Sequence, residues 1–271
     1  MQPRPLEISS LTKTFPTPAG PHVAVRDFRA SIQPGEMVAL LGHSGCGKST
    51  VLAIVAGLLD ATEGGVMVDG REIDGPGLDR ALVFQSPSLL PWMTSLENVL
   101  LAVRQAHPRL SRHQQKAMAL KYLDLVGVAE FASHQPLDLS QGTQQRVSIA
   151  RAFSLEPRFL LLDEPFGMLD SISRRELQDL VLDLWERDRK TVLLVTHDVD
   201  EALYLSDRII LMTDGPESRV GLELSVTLPR PRSAEVCDHP EYFRLRREVI
   251  QFLEHHSKQF SADSSARQRV A

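Results

Sequence analysis

The segment that most constrains this chain is Gly42-His-Ser-Gly-Cys-Gly-Lys48-Ser49-Thr50. It follows a short apolar run, MVALL (Met37–Leu41), and opens onto a helical pattern from Lys48. It fits G-x-x-x-x-G-K-[ST] in the strand–loop–helix setting that the pattern requires. Gly42, Gly45 and Gly47 let the backbone wrap an anion so that N–H groups point inward, and the helix N-terminus adds positive potential. His43, Ser44 and Cys46 fill the intervening positions. Lys48 supplies a point charge for β- and γ-phosphates, and the Ser49 hydroxyl can ligate Mg2+. A glycine loop can also precede a helix by chance, so phosphoryl transfer needs a second part elsewhere in the chain.

That second part is Phe159-Leu-Leu-Leu-Asp163-Glu164, two acids at the end of an apolar strand. Ligands of parallel sheets bind beyond the strand C-termini. Asp163 would hold Mg2+ through water and Glu164 would polarise the attacking water. Taken alone, the pair reads equally well as a strand end meeting solvent.

Further apolar runs are ALVF (Ala81–Phe84), TVLLV (Thr191–Val195) and RIILM (Arg208–Met212). Continuous apolar strands alternating with helices imply a largely parallel sheet covered on both faces. LEISSLTKTF and VAVRDFRASI, near the start, look like a small antiparallel layer. Between about Pro87 and Pro157 helical patterns dominate, as in Arg112–Val126 and Gln144–Leu155, which suggests a helical subdomain inserted into the sheet. The expected class is α/β, with a mostly parallel core. Prolines at 229, 231 and 240 lead to a last amphipathic helix, roughly Glu241–His255. The Ser-rich stretch that follows has the composition of a disordered tail.

The 271 residues suit one large α/β domain or two modest ones, with 42% hydrophobic and 24% charged residues. A net charge of −5 argues against a dedicated nucleic-acid binder. Two separated cysteines, Cys46 and Cys237, make a disulfide scaffold improbable and fit a reducing compartment. No signal peptide is expected, since MQPRPLEISS lacks an apolar core. The longest uninterrupted apolar stretch, Val51–Leu59, is too short for a bilayer that needs about 20 residues. A membrane role would therefore come through a partner.

With these parts in order, the chain resembles the ABC transporter ATPase family over roughly residues 5–230. The resemblance implies a P-loop NTPase with a RecA-like core. It adds Gln85 after ALVF as the Q-loop glutamine and Leu139-Ser140-Gln141-Gly142-Thr143 as the family signature. It also adds Gly167–Asp170 as the D-loop and His197 after TVLLV as the switch histidine. Phe15 falls where an aromatic ring stacks on adenine; by itself it reads as readily as core. The implied domain layout is an ATP-binding domain over 1–231, with the helical subdomain at about 87–157 inserted, and a C-terminal helix and tail over 232–271.

The family implies two such ATPase subunits, alike or different, facing head to tail around two ATP molecules. Ser140 and Gly142 would then meet the γ-phosphate bound to the partner, His197 would contact the γ-phosphate, and Gln85 would reach Mg2+. Two transmembrane permease subunits and a solute-binding protein complete the implied assembly, with no nucleic acid. This subunit would be peripheral, on the cytoplasmic face of the cell's inner membrane. Trp92 and Met93 read either as core or as part of a groove for a membrane-subunit helix. Finer likeness, in LLGHSGCGKST and the LLPWMT loop, points to importers of nitrate, sulfonate or taurine, with nitrate or nitrite foremost. Soluble ABC ATPases acting on nucleic acid or ribosomes, and exporter ATPases, are the alternatives. One departure stands out. The signature reads LSQGT where the family usually has LSGGQ, and a side chain at Gln141 is expected to weaken the site it completes unless it turns aside.

Overall fold

The computed structural model describes residues 4–268, with side chains through His256. In chain order the elements are β1 (Leu6–Thr17), β2 (Gly20–Ile32), β3 (Met37–Leu41), α1 (Lys48–Val55), β4 (Glu63–Val68), β5 (Arg71–Glu72) and β6 (Arg80–Val83). There follow α2 (Ser95–Ala106), α3 (Arg112–Leu125), α4 (Gln141–Phe153), β7 (Phe159–Asp163) and α5 (Ser171–Asp188). The chain finishes with β8 (Thr191–Thr196), α6 (Val199–Leu205), β9 (Arg208–Met212), β10 (Val220–Ser225) and α7 (Pro240–Gln268). Two compact units result, one of residues 1–75 with 193–271 and one of residues 76–192.

The first unit holds an antiparallel sheet in the order β2-β1-β4-β5. Leu6 and Ile8 of β1 are buried at alternate positions; then Leu11 is buried, one residue out of step. The register shifts between Ile8 and Leu11, with Ser10 at φ 45°. This is the behaviour of a β-bulge, which re-aims the side chains that follow it. The same unit carries strands in the order β10-β9-β3-β8, with β3 and β9 parallel and β9 and β10 antiparallel. All five residues of β3 are buried, as a strand covered on both faces demands.

Three strands of this unit were not legible as apolar runs, among them β5, which is only Arg71 and Glu72. β4 begins with a glutamate and two glycines, which read as a turn. β10 alternates half-buried and exposed residues at the sheet's edge. Helix α7 packs on α6. Helix α7 runs on to Gln268, past the expected end near His255 and through most of the stretch from Ser257 that was expected to lack structure; 269–271 lie outside the described residues.

In the second unit β6 and β7 pair in parallel from Arg80↔Phe159 to Val83↔Leu162. Phe84 lies beyond the strand and is 38% exposed, so the apolar run ends one residue earlier than its composition suggests. Helices α2, α3 and α4 pack on one another. Capping boxes start α2 (Thr94 with Glu97) and α3 (Ser111 with Gln114), satisfying N–H groups that the helix cannot. Among the described residues no helix is long and apolar enough to cross a membrane.

Candidate nucleotide site

The first unit contains the glycine loop, between β3 and α1. Gly45 and Gly47 take φ of 81° and 94°, a region open to glycine at no steric cost. At Gly47 a Cβ would also come 2.6 Å from Val25 Cγ2, so only glycine fits. Lys48 is 5% exposed, and its Nζ donates to the carbonyls of Gly42 (2.8 Å) and His43 (3.0 Å). The ammonium is thereby held inside the curl of the loop. The Lys48 backbone opens α1, and the Ser49 side chain, on the first turn, is exposed.

Helix caps mark where an anion belongs. Thr94, Ser111, Ser140, Asp170 and Asp198 each cap their helix with a side-chain oxygen. Helix α1, whose N-cap is Gly47, has no side-chain cap and no acid in its first turn. An uncapped N-terminus at the end of a glycine loop is the arrangement that binds phosphate.

A distant segment braces this loop. His43 Nδ1 lies 2.7 Å from an oxygen of Asp214. The buried Ser218 hydroxyl donates to the carbonyl of Cys46. A Cβ on Gly215 would be 3.4 Å from the Gly45 carbonyl oxygen, which shows how closely the two backbones approach. Sequence reading missed Asp214 and Ser218, some 170 residues away in the chain, and nothing in their local pattern announces them. Cys46 is 1% exposed, and burial pushes its thiol above the usual range against the pull of Lys48. It packs in the turn as a small apolar group and lacks thiolate character.

Phe15 stands on β1, half-buried, opposite His22, with Lys13 Nζ 5.3 Å from its ring centre. Its ring is therefore partly accessible and outside the buried core. His197 is exposed immediately after β8. Asp198 caps α6 by accepting from the N–H groups of Asp200 and Glu201.

The second unit contains the acid pair. Asp163 ends β7, and both Asp163 and Glu164 are half-buried. Glu164 has φ 45°, a left-handed conformation that costs a non-glycine residue energy and clusters at working sites. Gln85 Nε2 is 3.4 Å from Glu164 Oε2, a long, weak contact. Gln85 also passes close to Gly167, where a Cβ would be 3.1 Å from the same nitrogen. Gln85, Glu164 and Gly167 are thus brought together.

Ser140 caps α4. Its Oγ accepts from the Thr143 N–H (3.2 Å) and lies 2.9 Å from Thr143 Oγ1. Gln141 is exposed and meets no crowding from its own helix. At Gly142 a Cβ would find nothing closer than 3.9 Å among the described residues. Asp170 caps α5, and the backbone N–H of Ser173 holds its carboxyl below the usual range. Trp92 is 68% exposed, which removes it from the core. Among the described residues no group of three or more His, Cys, Asp or Glu is placed to hold a metal by itself.

Comparison with known proteins shows the family and the fold. A family profile described as "ABC transporter" matches residues 25–167. Nitrate import ATP-binding protein NrtD of Synechococcus elongatus is 49% identical, over 92% of this chain and 91% of that protein. Bicarbonate transport ATP-binding protein CmpD of the same species is 43% identical, over 92% and 90%. The solved dimeric structure of the ATP-binding cassette MJ0796 in a post-hydrolysis state, bound to ADP and Pi, superposes with a TM-score of 0.73. It is 34% identical and covers 82% of this chain and 98% of that one. The chain belongs to the ABC transporter family, and is an ATP-binding cassette of P-loop NTPase fold that binds nucleotide and hydrolyses ATP.

Proposed function

We propose that this chain is the ATPase subunit of an importer for a small inorganic anion, nitrate or nitrite foremost, with Gly42–Thr50 as its phosphate cradle. The observation that carries the cradle is the uncapped N-terminus of α1 beside the tethered Lys48. Lys48 neutralises β- and γ-phosphate charge once its hold on the loop carbonyls is exchanged for phosphate oxygens. Phe15 offers its partly accessible ring to adenine. His197 is assigned to the γ-phosphate and Glu164 to the attacking water.

Mg2+, when bound, neutralises charge on the β- and γ-oxygens. Ser49, Gln85 and Asp163 are assigned to it, an all-oxygen donor set of the kind a hard cation takes. Such a cation is bound through one or two carboxylates plus substrate phosphates, so it needs no all-protein cage.

We place Ser140 and Gly142 on the ATP of a second ATPase subunit. Gly142 supports this reading. A glycine within a helix costs about 1 kcal/mol relative to alanine, and nothing among the described residues excludes a Cβ there. Two transmembrane permease subunits and a solute-binding protein complete the proposed assembly, with this subunit on the cytoplasmic face of the membrane. Trp92 and Leu137, 68% and 84% exposed, offer apolar surface to a membrane-subunit helix.

The solute rests on relatives named for nitrate and for bicarbonate, both small monovalent oxyanions. Uptake of isotopically labelled nitrate by cells with and without this gene tests it, with bicarbonate and taurine as competitors. Uptake unaffected by deletion sinks the nitrate assignment; efflux lost on deletion replaces import by export. The catalytic assignment has its own test. Glu164→Gln should keep nucleotide binding while hydrolysis falls by about a hundredfold or more, the scale of a lost general base. Normal turnover in that variant would refute the role of Glu164.

A further inference from the structure

Gln145 is a polar residue in the wrong place for a surface role. It lies in the second turn of α4, 2% exposed, on the face that also buries Ser148, Ile149 and Ala152. Its Nε2 donates to two carbonyls, that of Pro165 at 2.8 Å and that of Phe84 at 3.1 Å. Phe84 immediately precedes Gln85, and Pro165 immediately follows Glu164. Both acceptors are carbonyls, so only the amide nitrogen can face them, which settles the orientation of the group.

The position is one where the sheet has run out of backbone pairing. The β6–β7 ladder ends at Val83↔Leu162. Just beyond it the chain turns at both strands, and Glu164 is held at φ 45°. The Gln145 amide takes over where the ladder stops, as a two-pronged pin between the strand exits. The other end of the amide is left wanting: Oε1 is buried with no hydrogen-bond partner among the described residues. Burying an unpaired acceptor is unfavourable, and an apolar side chain of the same length would avoid it. The two donations are what an apolar side chain could not supply.

We propose that Gln145 is a positioning residue for hydrolysis, fixing the backbone at Gln85 and Glu164 to the signature helix. The α4 helix is capped by Ser140, so a rotation of this helix carries the pin, and with it the carbonyl just before the Q-loop glutamine and the one just after the water-polarising acid. The signature end and the acid pair are then set together by one side chain. The inference rests on the roles proposed above for Glu164 and Gln85.

The test uses the full chain in its assembled transporter, with Glu164→Gln run in parallel. Gln145→Met keeps length and packing and removes both donations; Gln145→Asn keeps the amide but shortens its reach. Both should keep ATP affinity within about twofold and the unfolding midpoint near wild type. Turnover at saturating ATP should fall by about tenfold to a hundredfold, the scale at which a misplacement of about 1 Å acts. Hydrolysis within twofold of wild type in either variant overturns the proposal, and so does a loss of turnover that is matched by loss of nucleotide binding. Glu164→Gln separates the premises: if it turns over normally, the role of Glu164 falls, whatever Gln145 does.

Discussion

The phosphate loop and the signature turn each present a helix N-terminus, and they are finished in opposite ways. Around the loop the chain supplies its own support. Lys48 is tied to two carbonyls, Ser218 holds the carbonyl of Cys46, and Asp214 holds His43. The helix end alone is left without a side-chain cap. At the signature the helix is capped by Ser140, Gln141 is exposed, and Gly142 meets no atom of its own chain closely. The loop is thus shaped in advance for an anion. The signature is capped and leaves its glycine with open space among the described residues, as the proposed placement on a second subunit requires.

Lys48→Ala should have the largest effect on this contrast. It removes a buried cation that no neighbour replaces, so ATP affinity should drop by about thirtyfold or more, as expected for a charged hydrogen-bonding group. Isothermal titration with the non-hydrolysing Glu164→Gln background would measure it, and an unchanged affinity would mean the loop backbone holds phosphate alone.

Gly142→Ala comes next and tests the other side. The folded chain has room for the methyl, so the unfolding midpoint should hold or rise slightly, by no more than about 1 kcal/mol. Hydrolysis by the assembled dimer should nonetheless fall about tenfold, because glycine permits the close approach that a Cβ obstructs. If stability drops instead, Gly142 serves its own chain and the contrast is lost.

Ser218→Ala should be milder. It leaves the carbonyl of Cys46 without its donor, at about 1–3 kcal/mol. Part of that appears as looseness of the loop, so the KM for ATP should rise about fivefold with kcat retained at saturation. A fall in kcat with KM unchanged would place Ser218 outside the binding role.

The smallest effect is expected from Gln141→Gly. Gln141 is exposed, so in the proposed dimer any weakening it causes would act on the nucleotide held by the other subunit. Turnover of the assembled transporter should then rise about twofold in the variant. An unchanged rate means that Gln141 turns aside and the LSQGT signature completes its site as well as LSGGQ.

Local pattern carried much of this protein. The glycine loop needs particular residues at consecutive positions, because φ at Gly45 and Gly47 is a local constraint, so Gly42–Thr50 announces itself. Strands β3, β7, β8 and β9 are legible for a similar reason: buried parallel strands are near-continuous apolar runs, polar only at their ends. The family was legible from an ordered series of motifs that runs through the signature, Gln85 and His197, and it is the family that the relatives show.

Tertiary structure decided what depends on distance along the chain. Strand β4 hides behind its glycines because its hydrophobic signal is half absent, and it is pairing with β1 and β5 that makes it a strand. Asp214 and Ser218 look like ordinary loop residues until folding brings them against the glycine loop. Gln145 had a partial signal, an amide on a helix face that is otherwise apolar or small. Which two carbonyls it pins depends on where two strands end, 61 and 20 residues away in sequence. Sequence determined the glycine loop and the groups proposed to meet phosphate, because that pattern is local. The fold determined what holds those groups still, because a brace must come from elsewhere in the chain.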